Sequence, residues 1–342
     1  MVRTTLTAGI ALGFLLGTWA GGQAQQAVEV DVQEMLKALP SAAPAKPVRP
    51  RRVLVLADSP GFTHSSIPLA ARMVDELGRS TAAWTTTVSY DPGVITAENL
   101  KQYDAIVLDS TVGAFLDEAG DQAATAERRA AFLAFVRGGK GLVGIHAATD
   151  TYHSGMGNTP FTRVPPVPSP SGGGRAGGGR GGRGAEVVAR GSAPAGGTWP
   201  EFNQMIGGIF KSHPWQKVVV KIDDPQSPLT AMFKDRSFEF EDETYSFFME
   251  SWSRRNLHVL MSIDYAKMSE ADKARESNAS ARTDGDYGLS WIRRDERGRV
   301  FYLALGHRED GIYRSPEMLR HVLAGIQYAV GDLKADDSPS VR

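Results

Sequence analysis

Cysteine is absent from this 342-residue sequence, and its absence removes several kinds of chemistry at once. Without a thiol the chain has no disulfides, no thiolate metal ligands and no cysteine nucleophile. An excess of charge of either sign is also missing, because 38 Lys and Arg residues are balanced by 39 Asp and Glu residues. This balance gives the protein no electrostatic reason to bind nucleic acid or an anionic surface. The length suffices for one large domain or two modest ones.

Long hydrophobic runs are missing too, apart from a short one near the N-terminus. Residues 1–24 carry one charge, Arg3, followed by an apolar stretch from Ile10 to Leu16 and an acceptable cleavage site at Gly22–Ala24. We therefore predict a signal peptide over residues 1–24, with export to the periplasm or the cell exterior. The stretch is short and interrupted by glycine, so an uncleaved anchor is the weaker alternative. After cleavage we expect no membrane span.

Three further segments stand apart by composition. Residues 25–50 are rich in Pro and Ala and are typical of a linker with one or two helical turns. Residues 163–198 are dominated by Gly, Pro and Arg, which predicts a disordered insertion. Arg–Gly tracts can contact RNA, but this one lacks interleaved aromatic residues, which favours a passive surface loop. The folded domain is predicted over 51–333 and a loose tail over 334–342.

Strand and helix patterns alternate in the first half of the domain. Four apolar runs are typical of buried parallel strands, and they begin at Arg52, Trp84, Asp104 and Leu142. Helical patterns cover 67–77 and 124–136. This β-α-β-α order predicts a parallel, doubly wound sheet with right-handed crossovers.

The second half of the domain is patterned differently. Further strands are predicted over 217–222, 238–245, 257–263 and 287–293. A turn at Asp295–Gly298 links the last of these to a strand that ends near His307, which indicates a hairpin. A closing helix is predicted from Pro316 to Val330. The fold class is therefore α/β, with a mostly parallel sheet followed by an antiparallel C-terminal extension.

His146 is the polar residue at the end of the fourth strand. It follows Leu142–Ile145 directly and precedes small residues, a spacing that resembles the strand-to-helix elbow of α/β enzymes. Ligands of open α/β sheets bind outside the carboxyl ends of the strands. An imidazole in this position can bind a metal, move a proton or donate a hydrogen bond. A buried structural histidine is the alternative interpretation.

Four of the seven histidines follow an apolar strand or a glycine turn: His64, His146, His213 and His307. A doubly wound sheet gathers such loops at one edge, whereas four separate buried imidazoles would each need their own hydrogen-bond partners. One convergent polar site explains all four. We interpret His258 and His321, which fall on a strand and on a helix face, as structural or surface residues.

Four motifs, in the same order along the chain, resemble those of the trehalose-utilisation (ThuA-like) family. They are Gly144–Asp150, Gly207–Pro214, Asp242–Tyr245 and Gly298–Tyr302 with Leu305–His307, and a Phe62–His64 loop precedes them. The resemblance runs from about Arg52 to Gly331. It implies a flavodoxin-like fold related to class I glutamine amidotransferases, and a link to sugar and disaccharide metabolism. The Gly/Arg-rich insertion and the export signal depart from the family pattern.

The related amidotransferases need a thiolate at the elbow, so glutaminase activity is excluded for this chain. We expect instead a lyase, hydrolase or isomerase acting on a saccharide or keto-saccharide. Proton abstraction next to a sugar ketone needs an imidazole and a carboxylate but no nucleophile. The candidate catalytic residues are His146, His213 and Glu243. The expected substrate-binding residues are Asp58, Asp150, Trp215, Asp242 and Tyr245.

Metal-assisted chemistry is a further hypothesis, with a divalent ion such as zinc held by His64, His146, His213 and His307, together with a carboxylate such as Glu243 or Asp242. The distance between these residues along the chain prevents any test by spacing.

The competing hypothesis is a non-catalytic sugar-binding or scaffold module, for which tryptophans could form aromatic platforms. A serine nucleophile at Ser65 or Ser110 lacks the Gly-x-Ser-x-Gly context. The expected partner is a small saccharide, and the sequence is compatible with a homo-oligomer.

Overall fold

The computed structural model describes residues 26–153, 198–276 and 282–341. The predicted signal peptide lies outside these ranges, as does nearly all of the predicted insertion. Within them, nine strands form a single sheet. In chain order the strands are β1 Arg52–Leu56, β2 Thr85–Ser89, β3 Ala105–Asp109, β4 Gly141–Ile145, β5 Phe210–Ile222, β6 Ser237–Phe247, β7 His258–Ile263, β8 Gly288–Asp295 and β9 Gly298–Leu303. Their lateral order is β2-β1-β3-β4-β9-β8-β7-β5-β6.

One half of the sheet is parallel. The strands β2, β1, β3, β4 and β9 run in the same direction, in the order of a flavodoxin-like sheet with β9 as the fifth strand. Every residue of β3 and β4 is buried, because helices cover both faces of a doubly wound sheet. The carboxyl ends of these strands therefore form one edge at which their following loops meet.

The other half is antiparallel and is joined to the first through β9. The strands β8 and β9 form a hairpin in which Asp295 pairs with Gly298, and β7, β5 and β6 follow in antiparallel order. The predicted α/β class, with its mostly parallel core and antiparallel extension, is confirmed.

Seven α-helices complete the described chain. They are α1 Glu29–Ala38, α2 Ile67–Thr81, α3 Ala97–Leu100, α4 Gln122–Arg137, α5 Pro200–Ile206, α6 Glu270–Lys273 and α7 Pro316–Val330. The closing helix α7 has the predicted bounds, since the Ser315 hydroxyl accepts the Met318 N–H at its start and Gly331, with φ 87°, ends it. At Gly325 an added Cβ would lie 2.4 Å from the Phe301 ring, so glycine lets α7 pack closely on β9. Among these helices none combines the length and apolar character needed to cross a membrane.

Both ends of the described chain pack against the domain, which the composition did not predict. In the Pro/Ala-rich segment, Met35 of α1 is fully buried, a contribution of about 1.5–3 kcal/mol. The Gln327 side chain bonds both the N–H and the carbonyl of Ala45, at 2.9 and 2.6 Å. In the tail, the Ser340 N–H donates to the Leu257 carbonyl at 3.0 Å. These segments are therefore fixed through hydrogen bonds to distant residues, which composition does not reveal.

Candidate active site

Four separate parts of the chain bring polar side chains to the carboxyl edge of the parallel strands. His64 lies in the loop after β1, His146 directly follows β4, and His307 lies in the loop after β9. Glu243 comes from β6, in the antiparallel half. One donor atom from each of these four residues lies within 4.8 Å of the donor atoms of the other three. Three of the four histidines that were expected to converge, His64, His146 and His307, are thus close together in the structure.

His146 is held in one orientation by the backbone. Its φ of 48° turns the chain sharply at the end of β4, a conformation that costs a non-glycine residue of the order of 1–3 kcal/mol. The ring Nδ1 lies 2.8 Å from the Ala304 carbonyl, which can only accept, so Nδ1 carries the proton. The lone pair is therefore on Nε2, which faces the other site residues. Burial lowers the pKa of His146 well below its ordinary value, with a smaller effect from His64.

Three groups surround Nε2 of His146. The Tyr245 hydroxyl and Nδ1 of His307 each lie 3.3 Å away, and Oε1 of Glu243 lies 3.7 Å away. The Tyr245 ring packs against the His146 ring with centroids 4.6 Å apart. Burial raises the pKa of Tyr245 well above its usual range, so the phenol keeps its proton and can donate it in a hydrogen bond.

Glu243 connects the buried part of the site to its outer edge. Its Oε1 lies 3.6 Å from Nδ1 of His307, and its Oε2 lies 3.4 Å from Nδ1 of His213. The His213 side chain is 53% exposed and stacks on Phe210 with ring centroids 5.9 Å apart. The carboxylate thus stands between an exposed imidazole and two inner ones.

Asp242 is fully buried and holds the loop after β9 in place. Its carboxylate accepts backbone N–H groups from Gly306, His307 and Arg308, at 2.8 to 3.2 Å, and from its neighbour Glu243 at 2.8 Å. Burial raises the pKa of Asp242 to about 7, against the lowering effect of these four donors. One carboxylate therefore fixes the backbone positions of both His307 and Glu243.

His64 closes the site from the β1 side. It is buried, and its Nδ1 finds no hydrogen-bond partner within the described part of the chain. Burial lowers the pKa of His64 to about 3, with further lowering by His307 and His213. Its ring makes edge-to-face contacts with His146 and His307, at centroid distances of 4.8 and 5.2 Å. It makes the same contact with Phe62, whose own ring is 62% exposed beside the site.

Two of the expected substrate-binding residues, Asp150 and Asp58, lie on loops of the parallel half of the sheet. Asp150 pairs with His153, with its Oδ1 at 2.5 Å from Nε2, and its charge raises the pKa of Tyr245. Asp58 is half-buried in the loop that also carries His64. His153 lies beside Phe210, at a centroid distance of 6.2 Å.

Trp215 does not join the site. Its indole N–H donates to the Asp272 carbonyl at 2.8 Å, and its ring packs on Tyr287 at a centroid distance of 4.9 Å. The strand β5 has register irregularities between Phe210 and Lys217. Simple alternation therefore does not tell which face Trp215 occupies, and the indole is buried in the core.

Sequence reasoning did not single out two contributors. Phe210 lies between Tyr245 and His213 and separates the inner and outer parts of the site. Phe210 falls in the Gly207–Pro214 motif, and this motif is the sequence feature that could have indicated it as a site residue. The Ala304 carbonyl, which fixes the His146 ring, gave no signal because any residue type can supply a backbone acceptor.

The comparisons with known proteins concern the fold and the family. The family model described as "ThuA: Trehalose utilisation" matches residues 52–169 and 179–329. A putative ThuA-like protein from Bacteroides uniformis is similar in fold, with a TM-score of 0.56, 17% identity and coverage of 89% of this chain and 98% of that one. A second, from Parabacteroides merdae, has a TM-score of 0.52 and 15% identity over 85% of this chain and 95% of that one. No curated protein sequence matches. Because the family model spans most of the chain, this protein belongs to the trehalose-utilisation (ThuA) family.

Proposed function

We propose that this protein is a carbohydrate-active lyase, hydrolase or isomerase whose substrate is a keto-saccharide. Membership of the trehalose-utilisation family links the chain to carbohydrate metabolism. The observation that carries the proposed reaction type is the position of Glu243, between exposed His213 and buried His146. This pairing of a carboxylate with imidazoles on both sides is suited to moving protons between a bound substrate and solvent.

A ketone on a sugar ring acidifies the neighbouring C–H bond. In the proposed reaction Glu243, paired with His213, removes this proton, and negative charge develops on the carbonyl oxygen. The neutral Tyr245 hydroxyl is the hydrogen-bond donor that stabilises this charge. The resulting enolate either expels the glycosidic oxygen, which takes up a proton as it leaves, or is reprotonated at another carbon; net hydrolysis requires that water then adds to the unsaturated ketone. No step needs a nucleophilic side chain, in agreement with a chain that has no cysteine.

His146 supports this chemistry from inside the site. Its Nδ1–H is committed to Ala304, and its Nε2 lies 3.3 Å from the Tyr245 hydroxyl, so the ring positions the donor that stabilises the developing charge. Removing one such positioned donor typically costs about 10²–10³ in rate. Truncation of His146 should therefore cost turnover far more than it costs saccharide binding.

A non-catalytic sugar-binding module is the second candidate, and the exposed Phe62 ring favours it. An aromatic face open to solvent beside a polar cleft suits the apolar face of a sugar ring. Such a module would bind saccharides but convert none of them.

The deciding experiment uses the wild-type protein and His146→Ala with trehalose and its mono-keto derivatives. An enzyme shows turnover of a keto-sugar in the wild type and loses it in the variant, while calorimetry still detects saccharide binding. Circular dichroism of both proteins checks the fold. A wild type that binds saccharides but converts no keto-sugar would support the binding module instead.

The first 24 residues also support export of the mature chain. The mass of the protein recovered from a periplasmic fraction tests this, because cleavage after Ala24 removes the segment, whereas an anchored protein retains it.

A further inference from the structure

We infer that His64, His146, Glu243 and His307 bind one divalent transition-metal ion, with His213 outside the ligand set. Within the described ranges this is the one group of His and carboxylate side chains whose donor atoms come together closely enough to hold an ion. It differs from the set expected from the sequence in excluding His213 and in selecting Glu243 as the carboxylate ligand.

The donor separations match a tetrahedral site. Bonds of about 2.1 Å from zinc to nitrogen or oxygen imply that neighbouring ligand atoms lie about 3.4 Å apart. The three measured separations among Nε2 of His146, Nδ1 of His307 and Oε1 of Glu243 are 3.3, 3.6 and 3.7 Å. Three donors from three different elements thus already have the spacing that a shared ion would impose.

The second line of support is the hydrogen-bond state of the imidazoles. Nε2 of His146 presents a lone pair because the Ala304 carbonyl fixes the proton on Nδ1, and metal-bound histidines are typically held by such an outer partner. His64 is buried, with an Nδ1 that has no partner in the described residues. An ion would satisfy ring nitrogens that otherwise face one another.

The outer surroundings are those expected of a metal site. Asp242 fixes the backbone of two ligands, Glu243 and His307, through four N–H groups. His213 approaches Oε2 of Glu243, whereas Oε1 is the oxygen that lies near His146 and His307. Oε1 can therefore bind the ion, while Oε2, beside His213, remains the oxygen that takes the substrate's proton in the proposed reaction.

Three imidazoles and one carboxylate favour a borderline ion such as Zn²⁺ over Mg²⁺ or Ca²⁺, which prefer oxygen ligands. A catalytic zinc can expand to five-coordinate and so accept a substrate oxygen. An ion in this position would polarise the ketone of the substrate. That catalytic role rests on the proposed function, whereas binding of the ion does not.

The test is calorimetric titration of the full chain, without a polyhistidine tag and after chelator treatment, with ZnCl₂ and, separately, MgCl₂. We expect one zinc per chain and no comparable binding of magnesium. His307→Ala and Glu243→Gln should each weaken zinc binding by more than about 100-fold, because loss of even an outer partner typically costs 10–100-fold. Glu239→Gln, an exposed carboxylate on the same strand, is the matched control and should bind zinc within a few-fold of the wild type. His213→Ala, which removes only an outer partner of Glu243, should lose less affinity than either ligand variant. Circular dichroism checks that each variant is folded.

The inference is overturned if the wild type does not bind zinc, or if His307→Ala and Glu243→Gln bind it like the wild type. It is also overturned if His213→Ala loses binding as completely as His307→Ala. The two proposals fail separately. Zinc binding without turnover of any keto-sugar leaves the metal site and removes the reaction, and turnover by a protein that binds no zinc does the reverse.

Discussion

Two groups of buried histidines in this protein differ in how their ring nitrogens are bonded. His258, on β7, contacts the Ser338 carbonyl at 2.7 Å through Nδ1 and the Asp224 carboxylate at 2.9 Å through Nε2. Both of its nitrogens therefore have fixed partners that link β7 to other parts of the chain.

His321, on α7, follows the same rule. Its Nδ1 lies 2.6 Å from the Leu229 carbonyl and its Nε2 lies 2.8 Å from the Ser290 hydroxyl. In the site, by contrast, His146 has one nitrogen fixed by a carbonyl and the other turned toward further imidazoles. Nδ1 of His64 has no partner among the described residues, and a buried polar group without one costs about 1–3 kcal/mol, so we infer that the site keeps it for a ligand or for chemistry.

The comparison predicts that the two groups respond to substitution in different ways. The largest effect is expected at Glu243, where Glu243→Gln should lower kcat/KM for a keto-saccharide by about 10²–10⁴, because the amide cannot take the proton. Glu239→Gln, on the same strand with a 68% exposed side chain, is the control and should retain wild-type turnover. Equal activity of both variants would remove Glu243 from the proposed mechanism.

The next effect concerns stability and pH at His321. Burial lowers the pKa of His321 to about 4, from 6.5 for an ordinary histidine. The folded state thus binds this proton more weakly than the unfolded chain does. The contribution of neutral His321 to the free energy of unfolding is therefore complete above pH 6.5 and is lost as the pH falls toward 4. The loss amounts to about 3 kcal/mol. Urea unfolding of the wild type and His321→Gln at several pH values should show a steeper acid decline in the wild type, and parallel curves would contradict this.

A smaller effect is expected at Asp242. In Asp242→Asn the amide group would present N–H donors to backbone N–H groups that now bond a carboxylate, which displaces the loop carrying His307. We expect zinc affinity and kcat/KM to fall by about 10–100-fold, as for other residues that support metal ligands. Calorimetry and steady-state kinetics measure the two effects. Wild-type values for both would show that the hydrogen bonds that the Asp242 carboxylate accepts from the loop are not needed to position the ligands.

The smallest effect is expected at Phe62, where the ring is exposed and supports little of the core. Phe62→Ala should weaken saccharide binding by about 0.5–1.5 kcal/mol, the value of one aromatic contact, and leave the melting temperature unchanged. A saccharide titration followed by calorimetry measures this. Unchanged affinity would mean that the sugar does not contact this ring.

The sequence predicts the parallel half of the fold and much of the site, because the apolar runs that mark the strands also mark where the polar site residues begin. Continuous apolar runs end in polar residues, so the positions of His146 and His307 follow from where β4 and β9 stop. Topology then brings those ends to one edge. The hairpin before His307 could be predicted from its turn.

Other parts of the site depend on contacts that no local pattern encodes. The strand β5 begins at Phe210, before the predicted bounds of 217–222, and its irregular register leaves Trp215 buried in the core and His213 exposed at the outer edge. Asp242 acts on residues 64 to 66 positions further along the chain, through backbone N–H groups that every residue type other than proline carries. The docking of α1 depends likewise on a distant residue, Gln327.

The most direct test of the proposed metal site is a zinc-edge anomalous difference map from crystals of the full chain grown with zinc. We expect one strong peak within about 2.0–2.2 Å of Nε2 of His146, Nδ1 of His307 and Oε1 of Glu243. The absence of a peak there, or a peak at His258 or His213 instead, would contradict it.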